Sequence, residues 1–379
     1  MSDGGPSSGP ASSGTGNGAG SGQESAAAPV EHVPVLLRES LDLLAPERGG
    51  LFVDATLGLG GHAAALLARG PAARLVGLDR DPEALRRAGA RLAPFGDRVR
   101  LAHGNFHRLE QVLAELGVER GAVAGLLFDL GVSSLQLGTP DRGFSFRLEG
   151  PLDMRMGLSE LTASDLVNHT AEGDLERIFR DFGEERQARR IARAIVEARA
   201  ERPIATTAEL KQIIDEAKGG GGAGAGGRAS RAGRHGGHGH HGRHGRSGRA
   251  RRGGRSGDAG TAAGARAAHI DPATRVFQAL RIAVNDELAG LERSIEQAVT
   301  MMAGDGRLVV ISYHSLEDRI VKNTLRDLAH GAVDQVTGRP RAESQLIAVL
   351  TRKPLRPSPE EVAWNPRSRS ARLRAARRL

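Results

Sequence analysis

The amino-acid sequence predicts an α/β fold, a parallel sheet interrupted by a mostly helical insertion. Two observations carry that expectation. Between residues 50 and 130, short apolar runs alternate with helical patterns, the signature of βαβ units. From Ser159 onward the rhythm changes to helical spacing alone, until Leu308-Val309-Val310-Ile311 reads as a further buried strand.

In chain order, residues 1–29 are rich in Gly, Ser and Ala and cannot bury enough apolar surface to offset chain entropy, so they read as disordered. Arg38 to Leu44 is a short helical pattern, Leu51-Phe52-Val53 a buried strand and Gly61 to Ala68 a helix. A second strand spans Arg74 to Leu78, followed by a helix that Asp81 can cap and Pro82 can start. Val99 to Ala102 is the third strand, Leu109 to Leu116 a helix and Val123 to Phe128 the fourth strand. Helical spacing then runs from Ser159 to Lys218, with Ile191 and Ile195 on one face, and again from Pro272 to Met302. A last helix follows from Leu316 to Leu328. The division expected is therefore 30–134 with 303–379 for the sheet domain and its basic C-terminal tail, and 135–302 for the helical insertion.

The 379 residues contain no cysteine, which removes disulfides, thiolate metal sites and cysteine nucleophiles together. No run of about 18 apolar residues offers a membrane span, and the N-terminus lacks the pattern of a secretory signal. A soluble, cytoplasmic protein is expected. The net charge of +8 is unevenly placed. Residues 219–268 hold ten Arg against one Asp, and Thr351 to Leu379 nine Lys or Arg against two Glu, which leaves the body acidic. Such basic segments favour polyanions without reading sequence. The 219–268 tract also holds His235, His238, His240, His241 and His244. Glycine spacing gives these no fixed geometry, so the tract reads as a disordered linker and no metal is expected.

Val53-Asp54-Ala55-Thr56-Leu57-Gly58-Leu59-Gly60-Gly61-His62 lies where the first strand turns into the first helix. Glycines there allow close approach to a ligand, and the helix start supplies free N–H groups. Asp79 ends the second strand, where a carboxylate can accept both ribose hydroxyls of an adenosine. Phe106 follows the third strand and Asp129 ends the fourth. Four strand ends converging on one ligand favour a methyl donor over a nicotinamide dinucleotide.

These words, with His32-Val33-Pro34-Val35-Leu36-Leu37, Asp129-Leu130-Gly131-Val132-Ser133-Ser134-Leu135-Gln136-Leu137, Arg142-Gly143-Phe144-Ser145-Phe146, Gly183-Glu184-Glu185-Arg186 and Ser312-Tyr313-His314-Ser315, run in order across the chain. On them the sequence resembles the RsmH (MraW) family of bacterial 16S ribosomal RNA cytosine-N4 methyltransferases. The resemblance implies a Rossmann-like class I S-adenosylmethionine methyltransferase sheet with a helical insertion. It implies methylation of a decoding-centre cytidine in the small ribosomal subunit, with S-adenosyl-L-methionine as cofactor. The family's cofactor contacts fall on Gly60, Gly61, His62, Asp79, Phe106, Asp129 and Gln136. The N-terminal extension and the 219–268 tract are departures from its pattern, and a homodimer is left open.

Asp129 is the catalytic candidate, placed both near the cofactor and near the acceptor amine. Many amino-methyltransferases follow that position with Pro and an aromatic. Here Leu130-Gly131 follows, so base stacking must come from elsewhere. Arg142, Phe144 and Phe146 form one candidate loop for gripping and stacking the base, with core packing of the two rings as the alternative. Ser133, Ser134 and His314 are weaker candidates, His314 doubling as a helix cap, and Asp153 with Arg155 reads as a structural ion pair. Rival expectations are a DNA or protein amino-methyltransferase, a non-catalytic RNA-binding assembly factor and a nicotinamide enzyme.

Overall fold

A computed structural model of the chain describes residues 33–157, 159–219, 271–332 and 344–379. The N-terminal extension, and the 219–268 tract beyond its first residue, lie outside the described residues.

Seven strands form one sheet: β1 (Gly50–Asp54), β2 (Ala73–Asp79), β3 (Val99–His103), β4 (Val123–Asp129), β5 (Met302–Ser312), β6 (Ile347–Val349) and β7 (Arg372–Arg378). Their order is β3-β2-β1-β4-β5-β7-β6. The pairs along β3-β2-β1-β4-β5 are parallel, and β7 runs antiparallel to both β5 and β6. This is a Rossmann-like sheet. The chain starts at β1, moves outward to β3 and returns to β4, so the strand order reverses between β1 and β4. In open α/β sheets that switch point, at the carboxyl ends of the strands, is where ligands bind.

Helices α1 (Leu37–Leu44), α2 (Gly61–Arg69), α3 (Pro82–Leu92) and α4 (Leu109–Glu115) accompany the first strands. The expected start of α3 is observed: Asp81 Oδ1 accepts the Glu83 N–H at 3.1 Å and Pro82 occupies the first turn. One apolar cluster joins α1 and α2 to Phe52, Leu75, Leu127 and Val309. A second joins α4 to Val53, Leu126, Phe128 and Val310. The alternation of these strand residues between two clusters is the period of two that buries both sheet faces. Complete burial of a ring such as Phe128 stabilises by roughly 1.5–3 kcal/mol.

Beyond β4 the chain forms α5 (Ser134–Gly138), α6 (Ala163–His169), α7 (Glu172–Asp181), α8 (Ala188–Glu201), α9 (Thr207–Gly219) and α10 (Thr274–Asn285). Helices α6 to α10 share a separate apolar core with Leu175, Phe179, Ile191, Ile195, Leu210, Ile214 and Leu280. The sequence pattern continues from Pro272 to Met302, but the structure breaks it. Asp286 turns left-handed at φ 50°, and α11 (Leu291–Met301) starts after Gly290 at φ 77°. Leu291, Ile295 and Val299 of α11 then pack on the sheet with α12 (Ser315–His330), not on the insertion core.

The C-terminus corrects the reading of a basic tail. After α13 (Pro359–Trp364), Arg372–Arg378 is a full strand inside the sheet, with Leu373, Ala375 and Ala376 buried. Arg374 is buried too, its guanidinium held by Asp318 at 2.6 and 3.2 Å. A buried cation is tolerated only when paired in this way.

Candidate active site

The β1–α2 turn is built by glycines that cannot be replaced freely. Gly60 caps α2 at φ 72°, a left-handed conformation that costs other residues strain. A Cβ on Gly61 would lie 2.5 Å from Pro34 Cγ, so this glycine lets the Val33-Pro34-Val35 segment pack against the helix start. The first-turn amides of α2, which have no partner within the helix, follow the carboxyl end of β1.

Asp79 ends β2 with both oxygens engaged by backbone. The Gly58 N–H donates to Oδ2 at 2.7 Å and the Asp81 N–H donates to Oδ1 at 2.8 Å. Burial pushes the Asp79 carboxyl up, and these two amides pull against it. Each oxygen keeps a further lone pair for a ligand. Phe106 follows β3, half-buried, with its ring edge-to-face on Phe128 at 5.7 Å.

Asp129 sits across the switch point at the end of β4, its side chain 25% exposed. Its N–H donates to Thr56 Oγ1 at 2.6 Å, which ties β4 to the β1 turn. The Tyr313 hydroxyl donates to Asp129 Oδ1 at 2.8 Å. His62 is buried and fixed by Val35: Nε2 lies 3.0 Å from the Val35 carbonyl, which can only accept, so Nε2 carries the proton. That leaves His62 Nδ1 toward Asp129 Oδ2 at 3.5 Å. Burial raises the Asp129 carboxyl above the ordinary range, and His62 and Tyr313 oppose the rise. Burial and the Asp129 charge push the Tyr313 phenol well up, so it remains a donor.

Gln136 is buried one layer behind. Ser133 and Gln136 form a capping box at the start of α5, and the Gln136 amide also donates to Asp81 Oδ2 at 3.2 Å. Arg142 donates to the same oxygen at 2.9 Å and to the Arg155 carbonyl at 3.0 Å. Of the two readings of this loop, base grip or core packing, the structure shows the packing. Phe144 is buried in the insertion core, and Phe146 packs edge-to-face on Phe277 at 5.2 Å. Asp153 and Arg155 form the expected ion pair at 2.7 Å.

His314 caps α12, as its alternative reading held, and its Nε2 lies 3.1 Å from Glu317 Oε1 at ion-pair distance without hydrogen-bond alignment. Burial alone would raise the Glu317 carboxyl; His314 and Arg281 outweigh it and hold it below its usual value. Glu287, His314 and Glu317 lie close enough to share a cation. Arg281 engages both Glu287 oxygens at 2.8 Å, so the group is already part of an ion network.

Three residues of the site carried no expectation. Thr56 and Asp54 stood within the glycine-rich word, and Tyr313 within Ser-Tyr-His-Ser. Tyr313 is the chain's single tyrosine and lies 184 positions from Asp129, so only folding shows the contact.

Residues 29–223 and 258–379 match the profile described as the MraW methylase family. The chain is 45% identical over 356 residues to the ribosomal RNA small subunit methyltransferase H of Geotalea daltonii, covering 93% of this chain and 100% of that protein. It is 44% identical over 352 residues to the protein of the same name from Thermobifida fusca, covering 92% and 93% respectively.

Proposed function

The chain belongs to the MraW methylase family, and from that premise we propose that it methylates N4 of a cytidine in 16S ribosomal RNA, at the decoding centre of the small subunit, using S-adenosylmethionine in the cytoplasm. Among the described residues no helix is long and apolar enough to cross a membrane. The observation that carries the reading is the pairing, across one switch point, of a fixed Asp79 with a part-exposed Asp129.

The residues fit the methyl donor by their chemistry. Asp79 offers anionic acceptors for ribose hydroxyls, the α2 amides suit a carboxylate, and Phe106 offers an aromatic surface for adenine. Gly60, Gly61 and His62 shape that turn, and Gln136 acts from behind by fixing Asp81, whose N–H holds Asp79. Once bound, the donor supplies an electrophilic methyl group on a sulfonium.

Asp129 works on the acceptor. The N4 lone pair of cytosine is delocalised into the ring, and a carboxylate accepting an N–H hydrogen bond draws electron density back to nitrogen. Transfer would break the S–CH3 bond, leaving a neutral thioether, as the C–N bond forms, and the Asp129 carboxylate would take the proton of the resulting cationic amine. The Tyr313 hydroxyl fixes one oxygen of that carboxylate and favours its charged form, and His62 lies 3.5 Å from the other. Removal of the phenol by Tyr313→Phe is therefore expected to raise the Asp129 carboxyl further and to move the acid limb of kcat to higher pH. A pH–rate series read at saturating RNA checks this, and an unmoved limb contradicts the role.

The deciding experiment is methyl transfer from radiolabelled S-adenosylmethionine to small subunits taken from cells lacking this gene. Label recovered as N4-methylcytidine supports the reading; label in DNA, in protein or at another RNA atom overturns it. Asp79→Ala is expected to weaken cofactor binding roughly 10- to 100-fold by calorimetry, the worth of charged hydrogen bonds.

A further inference from the structure

Helix α8 turns Ala188, Ile191, Ala192 and Ile195 inward. On its other side Arg189, Arg190 and Arg193 are exposed, and with Arg186 and Gln187 just before the helix they line a surface groove of about 480 Å³. Arg189, Arg190 and Arg193 share one helix face, and at about 1.5 Å of rise per residue they span roughly 6 Å.

The stripe sets unpaired arginines side by side. Several exposed helical arginines elsewhere are paired within a turn: Arg86 and Arg87 with Glu83, Arg180 with Glu176, Arg177 with Asp174. Here only Arg193 is paired, with Glu197 at 2.9 Å and Glu172 nearby. Among the described residues Arg186, Arg189 and Arg190 make no ion pair or side-chain hydrogen bond. Uncompensated like charges side by side repel unless a polyanion neutralises them.

The loop that leads into α8 is tied to α12, which begins two residues after Tyr313. Glu184, left-handed at φ 48°, takes hydrogen bonds from the Ser315 hydroxyl and, at 3.0 Å, from Arg319. Arg275 donates to the Glu184 carbonyl at 3.1 Å. A Cβ on Gly183 would lie 2.6 Å from the Phe179 carbonyl, so the loop is packed in place. Ser315 opens α12 directly after the Tyr313-His314 pair, and Tyr313 holds Asp129.

We infer that this arginine stripe binds the phosphates of the ribosomal RNA strand that presents the target base. The inference rests on the RNA-methyltransferase reading and adds the surface that holds the strand. Guanidinium forks match phosphate oxygens, and such contacts position a strand without reading its sequence.

The test uses the full chain carrying Arg189→Gln and Arg190→Gln together, with Arg189→Lys and Arg190→Lys as the charge-conserving control. Equilibrium binding to a 16S RNA fragment is followed over a salt series, alongside S-adenosylhomocysteine affinity, thermal unfolding and single-turnover transfer. The double Gln variant is expected to bind RNA about tenfold more weakly, with a salt slope shallower by about 1.4. Cofactor affinity, Tm and the rate at saturating RNA are expected to stay unchanged, and the Lys variant to keep the slope. Wild-type RNA affinity and slope in the double Gln variant would overturn the inference. Wild-type protein that binds RNA with the expected slope but transfers no methyl would overturn the methyltransferase reading and leave the stripe standing.

Discussion

Asp129→Asn is expected to lower kcat by about 10²- to 10³-fold while leaving the KM for RNA nearly unchanged. Asparagine keeps the size of the side chain and can still accept the Tyr313 hydroxyl at Oδ1. It loses the charge that draws density onto the amine and the capacity to take its proton. The loss therefore falls on the transition state, not on binding, which is the signature of kcat falling with KM constant. Single-turnover transfer at saturating cofactor isolates the step. The wild-type pH profile carries a matching sign. Burial raises the Asp129 carboxyl, so the active, ionised form is reached only above the ordinary carboxylate range. Turnover rises with pH through that value, and the same limb is absent from the residual activity of Asp129→Asn. Full turnover in the variant would reduce Asp129 to a structural neighbour of the cofactor.

The first five strands were legible because each is a short apolar run bounded by turn residues, and Asp54, Asp79 and Asp129 stand where such runs stop. The end of β4 was legible as a site for the same reason. Strand β7 was not. Arg-Leu-Arg-Ala-Ala-Arg-Arg reads locally as a charge run, and its strand nature depends on β5 and on Asp318, which neutralises Arg374. The break between α10 and α11 was hidden because apolar spacing continues across it; only the left-handed Asp286 and Gly290 reveal the turn. Phe144 and Phe146 followed an arginine in a glycine-bounded loop, a pattern that suits a base grip and a buried loop equally. The insertion helices supplied the apolar partners that decided between them.

Asp54→Asn is expected to stabilise the fold at neutral and higher pH and to flatten the dependence of stability on pH. Asp54 is 3% exposed, and burial, reinforced by Asp129 and Asp79, pushes its carboxyl from 3.8 up to about 8 against the pull of the Thr56 N–H. The unfolded chain ionises this group near 3.8 while the folded chain holds its proton until about 8. The cost to folding is thus absent below the lower value, grows as pH rises between the two, and is complete above the higher one. At pH 7 it amounts to about 4 kcal/mol. Asparagine cannot ionise, and its Oδ1 can keep the Thr56 N–H bond, which is 3.2 Å long in the wild type. Urea unfolding at pH 5 and pH 8 should show the variant gaining on the wild type at pH 8, and parallel stabilities at the two values would contradict the buried proton. The chemistry gives the costly arrangement its reason. Three carboxyls crowd the switch point, and low local dielectric penalises charging all of them. Keeping the proton on Asp54 relieves Asp129 of a like charge, and Asp129 is the carboxylate that must be ionised to receive the proton of the acceptor amine.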